Sequence, residues 1–166
     1  MTMELVLRFA KILGVFIVLW ILIWIFNGYG CGPVDGDEME PAIPKGKTKL
    51  IRPGIHRPEQ LERGDIVSFA YAFPGRAQRV VAARVIGLPG ERVKMEKGEV
   101  FVNGAKIGSE YVSAANRSQD DYAEVFVPRD TLFVLCDRRK VQHQQIPWDS
   151  RGIGPVPMWA VLGAFK

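Results

Sequence analysis

The sequence predicts a mainly β fold: an all-β domain over residues 30–166, preceded by one hydrophobic N-terminal helix within residues 1–29. Three observations carry this reading. Residues 12–26 (ILGVFIVLWILIWIF) run for fifteen positions without a polar side chain. Beyond them, short β-branched and apolar runs recur with no long amphipathic helix between them. The 11 prolines and 17 glycines fall largely between those runs, where they end strands and set turns.

The N-terminal element comes first. As a helix, residues 12–26 span about 22 Å, short of a bilayer interior of roughly 30 Å. Extended over residues 5–29 the helix reaches about 37 Å. Arg8 and Lys11 then lie near one end, where long basic side chains snorkel, and Trp20, Trp24 and Tyr29 suit the opposite interfacial half. The segment is read as a single-pass anchor in the cell membrane, with the lipid bilayer as a partner. Two other readings are weaker. Gly28-Tyr29-Gly30 is a poor small-x-small cleavage site for a removed leader, and Gly30-Cys31 lacks the usual aliphatic residue at 28 for a lipoprotein signal. Arg8 and Lys11 precede the span and the next basic residue is Lys45, so the positive-inside tendency places the N-terminus in the cytoplasm and residues 30–166 on the periplasmic or extracellular side.

The formal charge is +4, with Lys+Arg 22 against Asp+Glu 18. That balance is too mild and too mixed in sign to indicate nucleic-acid binding. Cys31 and Cys136 both lie in the exported part, where a disulfide is chemically permitted, although their separation in space cannot be read from sequence.

The strand expectations follow in chain order: residues 48–52, 65–72, 79–86, 92–95, 99–102, 124–127, 131–136 and 159–165. Pro53-Gly54, Pro74-Gly75, Pro89-Gly90 and Gly154-Pro155 punctuate them. Lys97-Gly98 reads as a hairpin turn and Asn103-Gly104 as another, because Gly, and Asn before it, tolerate the left-handed backbone that two-residue turns require. Residues 109–121 are polar and read as a loop.

Most familiar chemistries find no support. His56 and His143 are the only histidines and neither adjoins a cysteine pair, so no zinc set can be assembled. A Ser-His-Asp triad is weak for the same reason, His143 lying in a polar stretch that reads as a solvated loop. No cofactor is indicated.

Four segments read together are more informative. Glu38-Met39-Glu40-Pro41 follows the hydrophobic helix closely. Arg63-Gly64-Asp65-Ile66-Val67-Ser68-Phe69 comes next, and then Ala83-Arg84-Val85-Ile86-Gly87-Leu88-Pro89-Gly90-Glu91. Last are Cys136-Asp137-Arg138-Arg139 and Asp149-Ser150-Arg151-Gly152-Ile153-Gly154-Pro155-Val156-Pro157. Their order and spacing resemble the type I signal peptidase (leader peptidase, S26-type serine protease) family over nearly the whole chain. The resemblance implies a signal-peptidase-like β domain and a membrane-tethered protease that removes signal peptides from exported preproteins. It also implies a serine nucleophile before the Met of an S-M-x-P motif, and a lysine general base before the Arg of the R-x-x-G-x-P-G segment. The physical logic is that a lysine accepts a proton only when burial lowers its pKa, and a serine hydroxyl needs such a base to attack.

This chain departs from that pattern at both positions. The nucleophile position is Glu38 and the base position is Ala83. A carboxylate attacking an amide would form a reactive anhydride, and alanine can neither donate nor accept a proton. Neither Ser68, Ser109, Ser113 nor Ser118 lies at a matching motif position. Catalytic competence is therefore not expected. The resemblance further implies that Arg84, Asp149 and Arg151 form an ion-pair network beside the site. Ser150 matches a serine that would bond the missing lysine, and its hydroxyl is expected to find a backbone or water partner instead. The usual G-D-N-R reads Cys136-Asp137-Arg138-Arg139, and the spacer before Asp149 is longer than usual. Asp35, Asp37, Glu38 and Glu40 read as a solvated acidic turn, or alternatively as a groove mouth that attracts a basic segment. Met39, Pro41 and Ile43 are expected to line a peptide groove. The partner so implied is an exported protein or signal-peptide segment, held as in secretion or pilus-type assembly; an active peptidase with an unorthodox centre and a structural membrane subunit are the alternatives.

Overall fold

The computed structural model describes residues 3–26, 30–33, 36–72, 77–107, 117–140 and 147–165. The chain divides into two units, residues 1–30 and 31–166. The first holds the helix α1 (Met3–Phe26). Its apolar side chains from Ile12 to Ile23 stand exposed all round the helix. Among the described residues no helix is long and apolar enough to cross a membrane. The fold therefore supplies the helix expected at the N-terminus but does not establish that it spans.

The second unit is built of strands: β1 (Gly30–Pro33), β2 (Thr48–Arg52), β3 (Ile66–Tyr71), β4 (Arg79–Gly87), β5 (Arg92–Glu96), β6 (Glu99–Val102), β7 (Ala105–Ile107), β8 (Tyr122–Phe126), β9 (Thr131–Leu135), β10 (Val156–Pro157) and β11 (Val161–Phe165). A seven-stranded sheet runs β1-β2-β11-β3-β4-β9-β10, and a four-stranded sheet runs β7-β6-β5-β8. The expected strands at 48–52 and 99–102 match in full, and others differ by one or two residues at an end. At 159–165 a 3₁₀ turn (Met158–Ala160) comes first, and the ladder begins at Val161 opposite Phe69. Strands β1, β7 and β10 were not expected. Each is four residues or fewer, and β1 and β10 contain proline, so none carries an alternating pattern.

Both predicted hairpin turns form. Glu96 pairs with Glu99 across Lys97 (φ 48°) and Gly98 (φ 77°), and Val102 pairs with Ala105 across Asn103 (φ 50°) and Gly104 (φ 81°). Positive φ at both central residues gives a turn whose twist matches the flanking strands.

Three apolar clusters result. The largest gathers Val67 and Phe69 of β3, Val81, Ala83 and Val85 of β4, and Leu132 and Val134 of β9, with Cys136. A second joins Ile86, Phe133 and Leu135 to Val93, Met95, Val100 and Val102 of the smaller sheet. Met39, Ile43 and Ala82 form a third, with Ile66 and Phe165 packed against them. Because side chains alternate along a strand, β4 and β9 feed different clusters from their two faces.

Candidate functional site

The site forms where β4 loses a neighbour. Its pairing with β3 runs from Arg79 to Arg84, but its pairing with β9 begins only at Arg84 opposite Leu135. The turn containing residues 37–40 lies against the unpaired half. The backbone N–H of Arg138 donates to the carbonyl of Glu38 at 2.9 Å, tying that turn to the chain beyond β9. Met39 packs with Ala82, whereas Glu38 reaches Arg79. By the period of two, Arg79, Val81 and Ala83 share one face of β4 and Ala82 the other. Glu38 thus meets, through Arg79, the face of β4 on which Ala83 also lies.

Glu38 is not a solvated acid. Its carboxylate accepts from the Arg79 guanidinium, and its other oxygen fills the space a side chain at Gly36 would need. Arg79 in turn stands over the indole of Trp148, 5.2 Å from the ring centroid. Asp37 and Glu40 both pair with Arg138. Asp37, Glu38 and Glu40 are therefore all paired from within, by two arginines distant in sequence, with one negative charge left in excess. Ala83 is fully buried in the largest cluster, as are Val81 and Cys136 nearby. Burial, and then the Asp149 carboxylate, push the Cys136 thiol well above its ordinary pKa. Cys136 is a free thiol in this structure.

The other predicted residues are distributed as follows. Arg84 donates from Nε to Asp137 at 2.8 Å and also from Nη2, forming a two-point ion pair, and donates from Nη1 to the Gly64 carbonyl at 2.8 Å. Asp149 and Arg151 make a second buried pair, with Nη2 to Oδ2 at 2.8 Å. Asp149 also accepts from the backbone N–H of Cys136 at 3.0 Å and caps the short helix α2 (Ser150–Ile153) through the Arg151 N–H at 3.1 Å. Burial opposes the Arg151 charge but Asp149 outweighs it, leaving its pKa raised. The Ser150 hydroxyl accepts from the Val134 N–H at 2.9 Å. Met39 and Ile43 are buried in the third cluster; of the three residues expected to line a groove, Pro41 is the exposed one. Ser68 and Ser118 are buried, and Ser109, Ser113 and His143 lie outside the described residues.

Residue reasoning did not single out Arg79 or Trp148, and it met Asp137, Arg138 and Arg139 only as an altered motif without their partners. No local pattern marks the pairings, since Arg79 and Glu38 lie 41 positions apart and Arg138 and Asp37 lie 101 apart. Nothing in that motif announced the burial of Arg139. Its guanidinium is buried, with Nη2 lacking a hydrogen-bond partner, and burial followed by the Arg151 charge lowers its pKa to about 10. Among the described residues no group of His, Cys, Asp and Glu is placed to hold a metal ion.

Against known proteins, residues 5–166 match the family model described as signal peptidase, peptidase S26. The chain is 31% identical over 145 residues to a signal peptidase I of Bacillus amyloliquefaciens, covering 81% of this chain and 74% of that one. It is 32% identical over 147 residues to signal peptidase I S of Bacillus subtilis, covering 81% and 75%. A crystal structure of a signal peptidase I from Enterococcus faecalis aligns with a TM-score of 0.48 at 28% identity, over 64% of this chain and 97% of that one. The chain belongs to the signal peptidase S26 family.

Proposed function

We propose that this protein is a non-catalytic member of its family that holds an exported segment at the outer membrane surface. One observation carries the reading. Where the family's chemistry calls for a free hydroxyl and an amine, this chain places a carboxylate engaged by Arg79 and a buried methyl group. A paired carboxylate has no lone proton to relay, and Ala83 offers no base, so the unit lacks both members. The exposed apolar surface of α1 supports the accompanying proposal of a single-pass anchor, with residues 30–166 periplasmic or extracellular. In this reading Arg84, Asp149, Ser150 and Arg151 serve as scaffold.

The second reading, cleavage of signal peptides, is favoured by the names of the relatives, all signal peptidases. The full chain in detergent, offered a preprotein, separates the two. No cleavage is expected, and none from a Glu38→Ala variant. Cleavage by the native chain that Glu38→Ala abolishes would establish the second reading and end the first. A Glu38→Ser, Ala83→Lys variant asks whether the scaffold still supports a dyad. It leaves Arg79 without its counter-ion, so activity is expected to stay low.

A further inference from the structure

Resting on the holding function proposed above, we infer that Arg79 is the specificity-determining residue of the site and that it receives a carboxylate of the bound segment. The centre offers few groups to an incoming chain. Ala83, Val81 and Cys136 are sealed beneath the surface. The Glu38 side chain is only 16% exposed, with one oxygen on Arg79 and the other over Gly36. Asp37 and Glu40 are engaged by Arg138. The Arg79 side chain is 40% exposed and stands at the first position of β4, where that strand has its β3 partner and no β9 partner.

The guanidinium is also held in place. Glu38 takes donors from Nη2, and the plane lies over Trp148. An arginine fixed from two sides has already lost most of its rotamer freedom, so a ligand does not have to order it again. Its planar fork matches a carboxylate through two parallel hydrogen bonds, and Nη2 toward Glu38 leaves the Nε–Nη1 side for the second acid. Asp37, Glu38 and Glu40 set against Arg79 and Arg138 leave one net negative charge, so what the site offers an acid is the directed fork of Arg79 and not a positive field.

The carboxylate can come from an aspartate or glutamate side chain or from a chain terminus. Short fluorescent peptides bound to the full chain in detergent separate these sources, with aspartate exchanged for asparagine in one arm and a free C-terminal acid exchanged for an amide in the other. Loss of the carboxylate in at least one arm is expected to weaken binding about three- to tenfold, the range of a partly exposed charge-assisted pair. Arg79→Gln should erase that difference. A double Arg79→Gln, Glu38→Gln variant removes both charges and guards against unfolding caused by an orphaned glutamate. Equal binding of acid and amide in both arms by the native chain would overturn the inference, and so would a difference that persists in both variants. Failure of every peptide to bind would overturn the holding function itself, and the inference with it.

Discussion

Cys136 illustrates how one buried residue sets a measurable pH response. Its N–H donates to Asp149 and its thiol sits beside that carboxylate, fully enclosed. In the unfolded chain the thiol titrates near its ordinary value of about 9, while in the fold it titrates well above. The folded state therefore holds the proton more tightly. The stability this contributes is complete below the unfolded pKa and is lost as pH rises above it. Arg139 acts in the opposite sense. Its buried cation costs stability below about 10, and the cost is relieved as pH climbs through that value. Between about pH 8 and about pH 10 the melting temperature should thus fall more steeply for the native protein than for Cys136→Ala. Parallel slopes would contradict the assignment. None of this was visible in the sequence, where Cys136-Asp137-Arg138-Arg139 registers only as an altered motif. Burial and the approach of Asp149 are properties of the folded chain.

At the scale of elements, the motif Arg84-Val85-Ile86-Gly87 owes its glycine to packing. The β4–β9 register shifts between Val85 and Gly87, and β4 there passes close under the smaller sheet. A Cβ at Gly87 would lie 2.6 Å from Val93 Cγ2 and 2.9 Å from Phe133 Cβ, both residues of the second cluster and fully buried. Gly87→Ala is expected to cost about 1–3 kcal/mol, as overpacking does, and to lower the urea midpoint with little change in slope. A neutral result would mean the two sheets can separate without penalty. Most strands of this unit were legible because they combine β-branched runs with turn residues, and the Lys97-Gly98 and Asn103-Gly104 hairpins were legible from the turn chemistry alone. Strands β7 and β10 were not, because two or three residues cannot display a period. Tyr122, which extends β8 beyond the expected start, is held by its ring against Phe133 at 5.6 Å rather than by any local pattern.

For the whole molecule, family membership was legible in spaced motifs, while the content of the site was not. Sequence located the substitutions at 38 and 83 but could not supply what replaces the lost chemistry, since Arg79 and Trp148 are recruited by the return of β4 and by the chain after β9. It grouped Arg84 with Asp149 and Arg151 but did not supply Asp137, the neighbour of Cys136, as the two-point partner of Arg84. Long-range pairings of this kind depend on topology, and topology is only weakly encoded in local composition. The two-faced burial of β4 and β9 has a consequence for how the exported unit comes apart. Val85 and Val134 belong to one core, Ile86 and Phe133 to the other, so these strands act as a shared keel. Neither sheet can melt while its companion keeps a dry face. Amide hydrogens along residues 84–87 and 132–135 should then exchange with deuterium last and together, at the rate of global opening. Earlier, separate exchange of β5 and β6 would show two independent halves instead.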